Sequence, residues 1–136
     1  MIKRITTPEG FIPIFKLRDD VEDHIPYDRS SWIQWLVSNC ANPNYGIFVE
    51  LEGELDMDAL SYVVAINAVA PPISRSVQIV YLYTTQAGNI QSLIDELKGW
   101  AKEMSASEII MMTKDPEHSK EYGFKEKLQL VALEVL

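Results

Sequence analysis

Between Val77 and Thr113 the apolar pattern switches period and then switches back, and few folds accommodate that. Val77 to Thr84, VQIVYLYT, is dense in β-branched and aromatic residues, as strands are. From Ile90 onward the period is helical. Ile90, Leu93, Ile94, Leu97, Ala101 and Met104 form one apolar stripe, with Asp95, Glu96, Lys98 and Lys102 outside it. Asn89 stands where a helix-capping side chain belongs. Glu108 to Thr113 returns to strand composition. Strand, helix and strand in this succession predict a right-handed crossover that joins parallel neighbours.

The flanking segments complete an alternation of strands and helices. Ile2–Thr6 reads as a short strand, and Thr7-Pro8-Glu9 as a helix start, since Thr caps and Pro suits the first helical position. Pro13 should interrupt or kink the helix begun there. Asp28 opens a second helix whose Trp32, Trp35, Leu36 and Cys40 recur at helical spacing, ending near Asn42-Pro43-Asn44. Tyr45–Leu51 and Leu60–Val69 read as strands around the acidic turn EGELDMD. After Lys114-Asp115-Pro116 a helical turn runs to Tyr122, with Gly123 suited to a left-handed stop. Phe124–Leu136 supplies one last strand or a pair. The expectation is an α/β chain (α+β in the sense of a mixed sheet), one domain over residues 1–136, with helices on both faces of the sheet.

Several classes of function are disfavoured. Twenty acidic against twelve basic residues give a formal net charge of −8. Nucleic-acid binding depends on neutralising phosphates with Lys and Arg, so no nucleic-acid partner is expected. The longest apolar stretch, Leu60–Ala70, contains Ser61 and Asn67 and runs into Pro71-Pro72, far short of the roughly twenty apolar residues of a span. MIKRITTPEG has no apolar core and does not read as a secretory signal. Cys40 stands alone, which rules out an intramolecular disulfide and suits a reducing compartment. A cytoplasmic protein without membrane partners is the expectation. His24, His118 and Cys40 lack metal-ligand spacing. The cluster Glu50, Glu52, Glu54, Asp56 and Asp58 lacks the EF-hand pattern and reads as a solvated hairpin.

The order of elements, together with three stretches, resembles the GCN5-related N-acetyltransferases (GNAT). IVYLYTTQAGNIQSLIDELKGWAKEMSASEIIMMT is similar to the family's central strand, cofactor loop, helix and following strand. WAKEMSASEIIM resembles its A-K-x-x-G-x-x-x-I transition, and EYGFKEKLQLVALEV its G-F box and closing strand. The loop departs from the family's Q/R-x-x-G-x-G/A motif. In Thr85-Gln86-Ala87-Gly88-Asn89-Ile90 only Gly88 matches, and Ile90 replaces the final small residue. Small GNAT-like proteins of bacteriophages show similar erosion.

The resemblance implies acetyl-CoA as cofactor. Its pyrophosphate would lie on the backbone N–H groups of Gln86, Ala87, Gly88, Asn89 and Ile90. Its pantetheine arm would pair with the strand edge at Val80 and Leu82, where a backbone N–H polarises the thioester carbonyl. Binding should be weak, tens of micromolar or worse, about 6 kcal/mol or less. The family's proton-donating tyrosine, four residues before its G-F glycine, is replaced by Ser119. Tyr122 and Tyr83 are the other candidates for that role. A general base would come from Glu50, Glu52 or His118, or act through water.

Each of these residues also has a plain structural reading. Gly88 suits a turn, Tyr81 and Tyr83 suit sheet packing, His118 a surface turn, and the three tryptophans a core. Two functions remain open at this point. One is an N-acetyltransferase acting on a small-molecule or peptide amine. The other is a non-catalytic GNAT-like binding or structural module with a degenerate cofactor site. A homodimer is compatible with either.

Overall fold

The computed structural model describes residues 1–17, 28–53, 58–68, 75–112 and 116–125, together with Leu133 and Val135. Five strands make one sheet in the order β1-β2-β3-β4-β5: Ile2–Arg4, Tyr45–Leu51, Ala59–Ala68, Ser76–Thr84 and Glu108–Met111. The first four run antiparallel to their neighbours. β4 and β5 are parallel, pairing Ser76–Ile79 with Glu108–Met111. The crossover between them is helix α3, Ile90–Glu103, as the change of period predicts.

Helices pack on both faces, and the alternation of the strands sorts their side chains into two cores. On one face Phe48, Val63, Ala65, Val77 and Ile79 meet Leu93, Leu97, Trp100 and Ala101 of α3. Leu93 and Leu97 are fully buried, while Asp95, Glu96, Lys98 and Lys102 face solvent. Met104, just past the helix, is half-buried. On the other face Ile47, Val49, Tyr62, Val64 and Tyr81 meet Phe11 and Ile14 from the N-terminal turns and Trp32 and Leu36 of helix α2, Arg29–Asn39. Cys40, a free thiol, is buried there too.

Local signals explain most boundaries. Asp28 caps α2, its Oδ1 accepting from Ser31 N at 2.7 Å; that bond holds its carboxyl below the usual carboxylate range. The helix ends at Asn39, a few residues before the Asn42-Pro43-Asn44 stop. The helix begun at Pro8 is interrupted just before Pro13. A 3₁₀ turn over Pro8–Phe11 passes into a short helix α1, Ile12–Phe15, which places Pro13 in a first turn where no N–H bond is lost. Thr7 precedes the 3₁₀ turn but makes no capping bond.

The short helix α4, Pro116–Ser119, continues as a 3₁₀ turn over Lys120–Tyr122. It stops at Gly123, whose φ of 90° is the left-handed conformation its position suggested. The strand expected within Phe124–Leu136 and most of the acidic turn lie outside the described residues, as do His24 and the segment 69–74. Among the described residues no helix is long and apolar enough to cross a membrane.

Candidate active site

The central irregularity of the sheet is at Val80. Across β3 and β4, Ala65 opposes Ile79 and Val64 opposes Tyr81, so Val80 is an extra, unpaired residue. This bulge changes which way the strand's side chains point. Val77 and Ile79 join the core under α3, whereas Tyr81 and Tyr83 join the opposite core with the N-terminal helices. Strict alternation from Val77 would have put all four on one face.

The other edge of β4 changes character at the same point. Its pairing with β5 ends at Ile79–Met111, so Val80–Thr84 continues with no β5 residue registered against it. Val80 is 38% exposed, and Leu82 is half-buried against the α3 core. Among the described residues a bulge and an uncovered strand edge thus coincide in β4, where backbone donors and acceptors can pair with an extended ligand.

Past the end of β4 the chain turns sharply into α3. Thr85 donates from both N and Oγ1 to the carbonyl oxygen of Leu60, each at 2.8 Å. Gly88 N donates to Thr85 O at 3.1 Å. A Cβ on Gly88 would collide with Thr84 Oγ1 and lie 2.8 Å from Leu60 O, so only glycine fits this corner. Asn89 caps α3, its Oδ1 accepting from Ser92 N at 3.2 Å. Among the described residues the N–H groups of Gln86, Ala87 and Ile90 have no intramolecular partner. Gln86, Ala87 and Asn89 are exposed, and Ile90 is half-buried.

One participant was not foreseen in this role. Asn89 N donates to Glu50 Oε1 at 2.8 Å, and Ser61 Oγ donates to the same oxygen at 2.8 Å. Glu50, on β2, is only 8% exposed. The sequence offered it as a general base. Through Ser61 it is level with Thr84 on β4. That is four residues, roughly 13 Å, along the strand from the Val80 bulge, and two strands further in. Glu50 therefore belongs to the loop and not to the open edge. Its link to Asn89 spans 39 positions and has no local sequence signal.

The proton-donor candidates occupy two places. Ser119 is buried, at 7% exposure. Tyr122, one turn later, is half-exposed and packs edge-on against His118 with ring centroids 5.6 Å apart. His118 Nδ1 is 3.6 Å from Glu121. Tyr83 sits on β4 itself, half-buried, its ring 6.2 Å from that of Tyr62. Glu52, the remaining general-base candidate, is exposed at the end of β2. Among the described residues no group of three His, Cys, Asp or Glu side chains is placed to hold a metal ion.

Solved structures share this architecture from end to end. Aminoglycoside 6'-N-acetyltransferase AAC(6')-Ih from Acinetobacter baumannii superposes with a TM-score of 0.79 at 13% identity, covering 100% of this chain and 97% of that one. AAC(6')-IG from Acinetobacter haemolyticus gives 0.74 at 17% identity, covering 100% and 98%. AAC(6')-Iy, solved in complex with a bisubstrate analog, CoA-S-monomethyl-acetylneamine, gives 0.74 at 14% identity, covering 100% and 97%. No protein-family model matches the chain, and no curated protein matches it in sequence. At these identities the likeness is one of fold, and the fold is that of the GNAT acetyltransferases.

Proposed function

We propose that this GNAT-fold chain is an N-acetyltransferase that transfers an acetyl group from acetyl-CoA to the amine of a small molecule or peptide. The observation that carries the reading is the coincidence at Val80 of the bulge with the open edge of β4. Acetyl-CoA supplies a thioester, an acetyl group already activated toward amines. Val80 and Leu82 offer backbone groups along which the pantetheine arm would lie, and the Val80 N–H is the donor for the carbonyl oxygen as negative charge develops there. Gln86, Ala87 and Ile90 have free N–H groups at the start of α3 for the more distant part of the cofactor.

In the reaction the amine nitrogen bonds to the acetyl carbon and gives up a proton to a base or to water, the carbon–sulfur bond breaks, and the departing sulfur takes a proton from a donor. Among the donors, Tyr122 and Tyr83 have the better chemistry for the role, since a phenol hydroxyl is a far stronger acid than an alcohol such as that of Ser119. His118 lies beside Tyr122 and is the base candidate nearest to a donor. The net charge of −8 favours a cationic amine at long range.

Ser119 favours a second reading, a non-catalytic binding module on the same fold. A buried serine stands where the family resemblance places the phenol. Thermal-shift titration with acetyl-CoA, followed by thiol release with a panel of di- and polyamines and Lys-containing peptides, decides between them. A rise in Tm with thiol release dependent on amine is the expected result. A rise in Tm without release from any acceptor would favour the binding module. No rise at millimolar ligand, with the fold intact, would sink the acetyltransferase and leave the non-catalytic module with a degenerate cofactor site as the better account.

A further inference from the structure

We infer that Glu50 sets the donor specificity of this site: its carboxylate takes the place of a diphosphate at the start of α3, so the donor is recognised through its pantetheine thioester and its diphosphate adds no affinity. The inference rests on the function proposed above and narrows it. Glu50 points from β2 to the same side of the sheet as Phe48 and Ser61, beneath the α3 N-terminus. Its Oε1 accepts from Asn89 N and Ser61 Oγ, both at 2.8 Å. The N-terminus of a helix favours an anion because its N–H groups are unpaired and its dipole is positive there. Here the charge is supplied from within and some of the donors are taken, while among the described residues the N–H groups of Gln86, Ala87 and Ile90 stay open. Glu50 takes one N–H and supplies the negative charge, while Asn89 Oδ1 takes the N–H of Ser92.

An incoming diphosphate would therefore meet a carboxylate beside the open N–H groups, and its repulsion offsets what they offer. Oε2 of Glu50 has no hydrogen-bond partner among the described residues, so no protein donor among them offsets its share of the charge. Thr84–Gln91 contains no Lys or Arg to compensate. The loop has little room to yield, because Thr85 is tied twice to Leu60 O and Gly88 is clamped against the same oxygen. Swinging Glu50 away would strip a buried carboxylate and the Ser61 hydroxyl of their shared bond. Among the described residues the edge at Val80–Thr84 has no such obstacle, and the uncharged amides of a pantetheine arm would pair with it.

The test compares acetyl-CoA with S-acetylpantetheine, which has the same thioester and arm but no phosphate. Isothermal titration is run on the intact wild-type chain and on Glu50→Gln, which keeps the shape and an acceptor oxygen but removes the charge. In the wild type the two Kd values should agree within about threefold. In Glu50→Gln acetyl-CoA should bind at least tenfold more tightly, with S-acetylpantetheine unchanged within about twofold. Wild-type protein that binds acetyl-CoA more than tenfold more tightly than S-acetylpantetheine would overturn the inference and leave the proposed function intact. That comparison needs no variant, so it holds even if Glu50→Gln fails to fold. A folded Glu50→Gln with an unchanged ratio of the two affinities would overturn it too. Failure of the wild type to bind either ligand would remove the proposed function and this inference together.

Discussion

Gly88 and Gly99 show how one residue type can have opposite reasons for being present. Gly88 has no left-handed backbone to justify it; among the described residues that conformation belongs, for glycine, to Gly123. What excludes a side chain is space, since a Cβ would strike Thr84 Oγ1 and crowd the Leu60 carbonyl oxygen. The backbone oxygen cannot swing aside as a flexible side-chain end could. Gly88→Ala should therefore cost about 1–3 kcal/mol as an overpacked site. Gly99 is exposed within α3, and a Cβ there meets nothing within 4 Å. Gly99→Ala should stabilise by about 0.5–1 kcal/mol through helix propensity. Urea unfolding of the two variants beside wild type measures both. Equal effects of the same sign would show that packing at the loop is not what selects glycine.

At the scale of elements, α3 and β4 differ in how openly the sequence declares them. The stripe of α3 was legible because each of its apolar positions repeats the same statement about one face. Leu97, fully buried, should lose about 2–5 kcal/mol on replacement by Ala. Lys98 is exposed, and Lys98→Ala should stay within about 0.5 kcal/mol. Chemical denaturation of the pair checks the assignment of the face, and comparable losses would refute it. β4 was legible as a strand but not as a bent one. A bulged residue is chosen by the register of its partner, and Val80 carries no mark that separates it from Val77. The face on which Tyr81 and Tyr83 lie therefore had to come from β3, where Val64 and Tyr62 oppose them. At Pro13 the interruption was legible, but not the form it takes. A proline breaks a helix only in its interior, and the passage from a 3₁₀ turn into α1 starts a new first turn around it.

For the molecule as a whole, the succession of elements and the parallel crossover were legible from periodicity, and the loop between β4 and α3 from its Gly-Asn pair. The Glu50–Asn89 bond was not, because it joins a strand residue to a helix cap across two neighbouring strands. Along the chain Glu50 belongs to an acidic hairpin, and only the closed sheet separates it from Glu52 and Asp58.

The short seam between β4 and β5 has a consequence for how the native state opens. β3 and β4 are registered from Ser61 to Ala68, whereas among the described residues β5 is registered on β4 by four residues, each only half-buried, with Ser107 bonded to Arg75 just before them. A strand attached so briefly can detach while the antiparallel meander stays closed, and such partial openings set amide exchange. Under native conditions the amides of β2 and β3 should exchange only through global unfolding. Those of β5 should exchange through a smaller opening, with lower free energy and weaker dependence on denaturant. Mass-spectrometric deuterium uptake across a urea series would resolve the two tiers, and a single tier would refute them. Among the described residues, the side of the sheet that leaves β4 uncovered would then also be the side from which the folded chain begins to come apart.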